Sequence, residues 1–225
     1  MPPRKRRYSL RWTFERKLRA DTPHFTVVAG VDEVGRGCWA GPVYAAAAIL
    51  PDGLKHRHLN DSKMLIKEYR EEISHFLCSH TEIHWSIGVA SVEEIDTHNI
   101  LRASLLAMRR AVEGLKHEPH LCLIDGNQKA GLRCQEVTIV DGDARCPSIA
   151  AASVIAKVAR DRAMSDLAAL YPDYGLENHK GYGTPEHQHA LALHGPCPIH
   201  RQSFRAIREN SRAAVAELVP DRELW

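Results

Sequence analysis

No apolar run in this sequence is long enough to cross a membrane; the longest, Val43 to Leu50, has the length of a strand. The basic residues near the start have no apolar segment behind them, so no secretory signal is expected. The six cysteines (Cys38, Cys78, Cys122, Cys134, Cys146 and Cys197) form no Cys-x-x-Cys pair, and several lie in apolar runs. That argues against a zinc site or a disulfide framework and for reduced core thiols in a cytosolic protein. The 14 histidines, His56/His58 and His187/His189 among them, show no metal-ligand spacing, and most are expected at the surface. There is no internal repeat and no segment that reads as a linker.

What remains is a chain of 225 residues with 44% hydrophobic and 26% charged residues, the balance of an ordinary globular protein. The net charge of +2 hides an asymmetry. Residues 1–20 hold eight Lys/Arg against the single acid Glu15, which leaves 22 basic and 27 acidic residues in the body. A basic leader on a mildly acidic body reads as an arm for a polyanion, or equally as a solvated tail with no binding role.

Residues 10–20 have apolar positions at Leu10, Phe14 and Leu18, the spacing of a short helix. Thr26–Val31 and Val43–Leu50 read as buried strands, Asn60-Asp61-Ser62 as the cap of a helix to about Leu77, and Glu82–Val89 as a half-buried strand. Ser91-Val92-Glu93-Glu94 is a capping-box pattern. Ile100, Leu101, Leu105, Met108 and Val112 predict an amphipathic helix. Leu121–Ile124 and Gln135–Val140 are two more strands, and Ser148–Leu170 reads as one long helix with an Ala-rich start suited to close packing on a sheet. Tyr171–Tyr182 is a polar loop, Thr184-Pro185-Glu186 opens a helix to about His194, and a last helix is expected from His200 into the 210s. The sum is an α/β domain with a mixed sheet.

Asp32 and Glu33 end the first strand and run at once into Gly35-Arg36-Gly37; Asp125 ends the Leu121 strand and Asp143 follows the Gln135 strand. In an open α/β sheet, ligands gather at the carboxyl ends of strands. Four carboxylates brought together there repel one another unless cations lie between them. Oxygen donors without His or Cys favour Mg²⁺ or Mn²⁺ over zinc, and two such ions suit phosphodiester hydrolysis. The competing reading makes Asp125 and Asp143 ordinary turn formers next to glycine.

Longer blocks say more. Gly30–Val43 (GVDEVGRGCWAGPV), Asp61-Ser62-Lys63, Asn99–Leu115, Ile124-Asp125-Gly126-Asn127, Gly142-Asp143, Ile149–Asp161 (IAAASVIAKVARD), His179–Thr184 (HKGYGT) and Gly195–Phe204 (GPCPIHRQSF) occur in that order. Together they resemble ribonuclease HII, the bacterial type-2 ribonuclease H, from about residue 10 to about residue 207. The resemblance implies a ribonuclease H-like fold: a mixed five-stranded sheet flanked by helices, with a helical C-terminal part. It divides the chain into a basic leader and short helix (1–22), a catalytic domain with C-terminal helices (23–210) and a tail (211–225). It implies a cytoplasmic, monomeric endonuclease acting on RNA–DNA hybrids and on duplex DNA with embedded ribonucleotides, incising 5′ to the ribonucleotide and leaving 3′-hydroxyl and 5′-phosphate ends. The implied role is ribonucleotide removal in DNA repair and replication.

By position, the family's four carboxylates fall on Asp32, Glu33, Asp125 and Asp143, which are implied to hold two Mg²⁺ or Mn²⁺ ions; Asp141 and Asp161 are not chosen. Gly35, Arg36 and Gly37 are implied to read the 2′-hydroxyl, the group that distinguishes RNA from DNA. Tyr182 is implied to pack on the next deoxyribose. Lys63 and Lys180 are candidate phosphate contacts, with a solvated surface as the alternative for each. The chain departs from the family pattern at Met64-Leu65-Ile66, where lysines are usual, at Trp39, where a smaller residue is common, and in its basic leader. A binding protein that has lost cleavage would lack a carboxylate, and all four are present. The sister family ribonuclease HIII is disfavoured by Asp143, where it usually has glutamate, and by the roughly 25 residues ahead of the first strand, where it carries a further domain.

Overall fold

The computed structural model describes residues 12–21, 24–54, 56, 59 and 66–210. Lys63, the expected helix cap at Asn60–Ser62, and most of the basic leader and the tail lie outside the described residues. Five strands, β1 (Val28–Val34), β2 (Val43–Ile49), β3 (His84–Ala90), β4 (Leu121–Asp125) and β5 (Gln135–Ile139), form one sheet in the order β3-β2-β1-β4-β5. Strand β1 pairs antiparallel with β2 and parallel with β4, and β4 pairs parallel with β5. This is the mixed five-stranded sheet expected from the sequence. The helices are α1 (Thr13–Asp21), α2 (Lys67–Ser79), α3 (Val92–His98), α4 (Ile100–Glu113), α5 (Pro147–Leu170), α6 (Leu176–His179) and α7 (Pro185–His194), and residues 205–210 are helical again. No helix among the described residues is long and apolar enough to cross a membrane.

The chain forms two compact units. One comprises the residues up to Val34, Tyr44–Val89 and Ser104–Val158; the other comprises Gly35–Val43, Ala90–Ala103 and the residues from Ala159 onward. In the first unit the Ala-rich start of α5 does what its composition suggests. Ala150, Ala151, Ala152 and Ala156 are fully buried in a cluster with Ala46 and Ala48 of β2 and Ile73 and Leu77 of α2. Beneath α5, Gly30 leaves β1 bare: a Cβ there would fall on Ser148 C and Ile149 N and lie 2.5 Å from Ser148 O. The strand and the helix backbone therefore touch, which only glycine permits. Gly88 of β3 does the same under α4, where a Cβ would land on Ala107 O and Ala111 N. Glu15, counted in the sequence only as a charge, is 1% exposed and accepts hydrogen bonds from Ser148 N (3.0 Å) and Ser148 Oγ (2.6 Å). It satisfies donors in the first turn of α5 that no helical carbonyl can reach.

Several expectations need correction. Strand β1 runs on to Val34, so Asp32 and Glu33 are strand residues and do not follow the strand. Helix α2 starts at Lys67, because Ile66 is extended (φ −63°, ψ 159°). The strands β4 and β5 are parallel yet no helix joins them. The connecting loop is held instead by the Glu136 carboxylate, which accepts from Ala130 N (2.6 Å), Gly131 N and Leu132 N (2.9 Å). The segment 171–182 is not all loop: it holds a 3₁₀ turn, Pro172–Tyr174, and α6. The last helix begins at 205, not 200, because Asp96 of α3 draws Gln202 N (3.0 Å) and Ser203 N (2.8 Å) into a turn ahead of it. Most described histidines do lie at or near the surface, but His179, His187 and His200 are buried in the second unit. The capping box is present as read: Ser91 Oγ accepts from Glu94 N (3.1 Å), and Ser91 N donates to the Glu94 carboxylate (2.9 Å).

Candidate active site

The four carboxylates picked out in the sequence all stand on the first unit. Val31 is the register partner of Ile124 across the parallel β1–β4 pair, so Asp32 and Asp125, one residue further on, emerge side by side. Asp125 Oδ1 accepts from Gly142 N at 2.7 Å, which ties the end of β4 to the 3₁₀ turn Gly142–Ala144 that carries Asp143. Asp143 is 2% exposed and Asp32 6% exposed, while Asp141, in the left-handed region at φ 54°, faces solvent. Glu33 is half-buried, and its own N–H donates to Asp32 Oδ1 at 2.8 Å.

The electrostatics show how close these charges are. Burial drives the Asp32 carboxyl well above the usual carboxylate range, and the negative charges of Asp125, Glu33 and Asp143 push it further; a hydrogen bond from Ser153 on α5 pulls the other way. Asp125, Glu33 and Asp143 all act electrostatically on Asp32. As the side chains stand, no three His, Cys, Asp or Glu residues among those described close on a single point. Like charges in a dry pocket hold one another apart. The donor set is oxygen-only, crowded and anionic, and it fits hard divalent cations, which relieve the repulsion that raises Asp32.

Gly35, Arg36, Gly37, Tyr182 and Lys180 stand on the second unit. Gly35 has φ +97°, and a Cβ there would fall on Arg160 Nε. Arg160 is fully buried on α5 and donates to Pro42 O (3.1 Å), Lys180 O (3.0 Å) and Ala40 O (3.2 Å). Arg201, also fully buried, donates to Gly41 O (2.9 Å) and Arg36 O (3.0 Å). Burial lowers the Arg201 guanidinium to about 10, and the nearby Arg160 charge adds to the effect. With the backbone held from below, Arg36 and Gly37 face solvent. Tyr182 is 41% exposed, and burial of its phenol together with Cys38 raises its pKa. Gly183 leaves room for Trp39, whose ring a Cβ there would strike. Lys180 is half-buried and donates to Ser165 Oγ at 2.7 Å.

Sequence reasoning missed Ser153, Arg160 and Arg201. The two arginines carried no local signal, since their burial rests on carbonyls supplied by remote segments. Ser153 carried none either.

The mixed five-stranded sheet flanked by helices is that of a ribonuclease H-like fold. The comparisons with known proteins carry this further. Residues 29–207 match the family profile of Ribonuclease HII. The Ribonuclease HII of Bordetella pertussis is 52% identical over 182 residues, covering 81% of this chain and 90% of that protein. That of Bordetella avium is 54% identical over 181 residues, covering 80% and 89%. The solved ribonuclease H2 of Pyrococcus horikoshii superposes with a TM-score of 0.72 at 25% identity, covering 84% of this chain and 98% of that one. The chain belongs to the ribonuclease HII family, and is with it a ribonuclease of the RNase H type.

Proposed function

We propose that this enzyme cuts the RNA strand of RNA–DNA hybrids and incises duplex DNA on the 5′ side of embedded ribonucleotides, leaving 3′-hydroxyl and 5′-phosphate ends, in the service of ribonucleotide removal and DNA repair. The observation that supports the reading is that Asp32 and Asp125 follow paired residues on adjacent parallel strands and that Asp125 is bonded to the turn carrying Asp143. These four would hold two Mg²⁺ or Mn²⁺ ions. Bound there, the ions supply activation of the attacking water and stabilisation of the leaving oxygen. The chain's own residues set the rest. Asp32 is paired with Ala46 of β2 and Asp125 with Ile139 of β5, one residue past the last β1–β4 pair, and Asp125 is further fixed by Gly142 N. Arg36 and Gly37 face solvent above the buried Gly35, and the three together are suited to approach a sugar 2′-hydroxyl. Tyr182 offers an exposed ring on which the following deoxyribose packs. Lys63 and Lys180 would contact phosphates; for Lys180 this requires its ammonium to leave or share Ser165 Oγ. We place the enzyme in the cytoplasm as a monomer.

The test is a cleavage assay on duplex DNA with one embedded ribonucleotide, run with Mg²⁺, with Mn²⁺ and with chelator, beside all-DNA duplex and the Asp143→Asn protein. Metal-dependent incision 5′ to the ribonucleotide, lost in the variant, is the expected result. Hybrid binding without incision would overturn the assignment of a nuclease. Cutting of long hybrids but not of the single ribonucleotide would overturn the junction reading of Gly35-Arg36-Gly37 and Tyr182.

A further inference from the structure

The backbone around Tyr182 is built on histidines. His187 Nδ1 lies 2.9 Å from Tyr182 O. A carbonyl only accepts, so Nδ1 carries the proton and Nε2 of the neutral ring is an acceptor. His200 Nε2 stands 3.0 Å from that Nε2 and must therefore be the donor. His200 Nδ1 is left to accept, and it does so from Cys197 N at 3.0 Å. His179 closes the other side. Its Nε2 donates to Tyr174 O (2.8 Å), its Nδ1 accepts from Gly181 N (3.2 Å), and its ring stacks on His187 with centroids 4.5 Å apart and planes 15° apart. Tyr182 N in turn donates to His179 O at 2.9 Å. His200 Nδ1 also lies 3.2 Å from Cys197 O and 3.2 Å from Cys197 Sγ, so its partners on that side are mixed, whereas the bond between His187 Nδ1 and Tyr182 O runs in one direction only. His187 and His200 are 0% and 1% exposed, whereas the Tyr182 they serve is 41% exposed.

We propose that His187, oriented by His200, is a positioning residue that fixes the Tyr182 main chain and so sets how the ring meets a ribonucleotide–deoxyribonucleotide junction. The proposal rests on the reading of Tyr182 as a junction residue. A core histidine needs no such chain of defined tautomers merely to fill space, and no functional role has been given above to either ring. Burial lowers the pKa of both rings, so the neutral forms that the geometry requires are the forms present near neutral pH.

The experiment compares kcat/KM on a duplex with one embedded ribonucleotide with kcat/KM on a long hybrid. It uses four full-length variants: His187→Asn, His187→Gln, His200→Asn and Tyr182→Ala. An asparagine amide can take the place of Nδ1–H and keep the bond to Tyr182 O, whereas a glutamine amide reaches the Nε2 position and loses it. The two replacements disturb the core alike, so a merely structural role predicts the same result for both. The expected result is a fall of about fivefold in the ratio for His187→Gln, the size of one lost hydrogen bond, and a ratio within about twofold of the parent for His187→Asn. His200→Asn leaves the His187 tautomer unheld and should lower the ratio by about threefold. It decides the matter if the His187 variants do not fold. An altered ratio for Tyr182→Ala with unaltered ratios for the histidine variants overturns this proposal and leaves the junction reading intact. An unaltered ratio for Tyr182→Ala overturns the junction reading itself.

Discussion

Gly142 donates its main-chain N–H to Asp125 Oδ1 at 2.7 Å, so the carboxylate that ends β4 and the turn that presents Asp143 are one mechanical unit. A Cβ on Gly142 would lie 2.6 Å from Ile149 Cδ1 and 3.1 Å from Asp125 Oδ1. Gly142→Ala should therefore lower hybrid cleavage by about tenfold with a stability loss of about 1–2 kcal/mol, since overpacking moves the carboxylate without unfolding the sheet. Asp125→Asn keeps an acceptor for Gly142 N and should stay folded but nearly inactive. Cleavage rates and thermal melts on both variants check this.

Asp32 is held against burial and three negative neighbours. Asp32→Asn removes one charge from that field. In chelator it should raise stability by about 1–2 kcal/mol while abolishing cleavage. With Mg²⁺ added, the parent should gain stability and the variant should gain less. Urea melts under the two conditions measure both effects.

The contact of Gly30 with the backbone of Ser148 and Ile149 leaves no side chain to give way. Gly30→Ala should cost about 3 kcal/mol or more, at the upper end of overpacking effects. An unchanged melting temperature would show that α5 can lift off the strand.

Glu15 accepts two hydrogen bonds from Ser148 inside the first unit. Glu15→Ala strands a buried N–H and a buried hydroxyl and should cost about 2–3 kcal/mol. Glu15→Gln keeps an acceptor and should cost less than half as much. Paired denaturant melts separate the two.

His200 is neutral in the folded protein: burial, and then the charge of His187, take it from 6.5 to about 4. Its folded value lies below its unfolded one, so the unfolded chain binds the proton first as pH falls. Stability linked to this ring is whole above about pH 6.5 and is lost progressively toward pH 4, by on the order of 3 kcal/mol in full. The gap in stability between the parent and His200→Gln should narrow across that window. A constant gap would mean that the ring does not stay neutral.

The parts of the fold that were legible in the sequence are those that depend on local pattern. Alternation and apolar runs located the five strands to within a few residues, and Ser91 and Thr184 announced their helices because a cap is a short-range hydrogen bond. Asp32, Glu33, Asp125 and Asp143 could be picked out because carboxylates at or just past the ends of apolar runs are conspicuous, and the motif blocks supplied their grouping. Sheet order was not legible, since strand pairing depends on contacts distant in sequence. Neither was the way the loop between β4 and β5 is held, by the Glu136 carboxylate accepting from Ala130 N, Gly131 N and Leu132 N. Glu15, Arg160, Arg201 and the buried histidines are polar residues whose burial depends on carbonyls and amides supplied by remote segments, and their own neighbours in the chain give no hint of them.

Strand β1 is hydrogen-bonded along both edges, to β2 on one side and β4 on the other. Peripheral helices and loops can open without breaking either ladder, whereas releasing β1 requires breaking both. Its amides should be among the slowest in the protein to exchange with deuterated solvent, close to the limit set by global unfolding. Asp32 and Glu33 extend that strand past its β4 partners while still paired with Ala46 and Ala45 of β2, so their backbone is anchored to the part of the sheet that opens last.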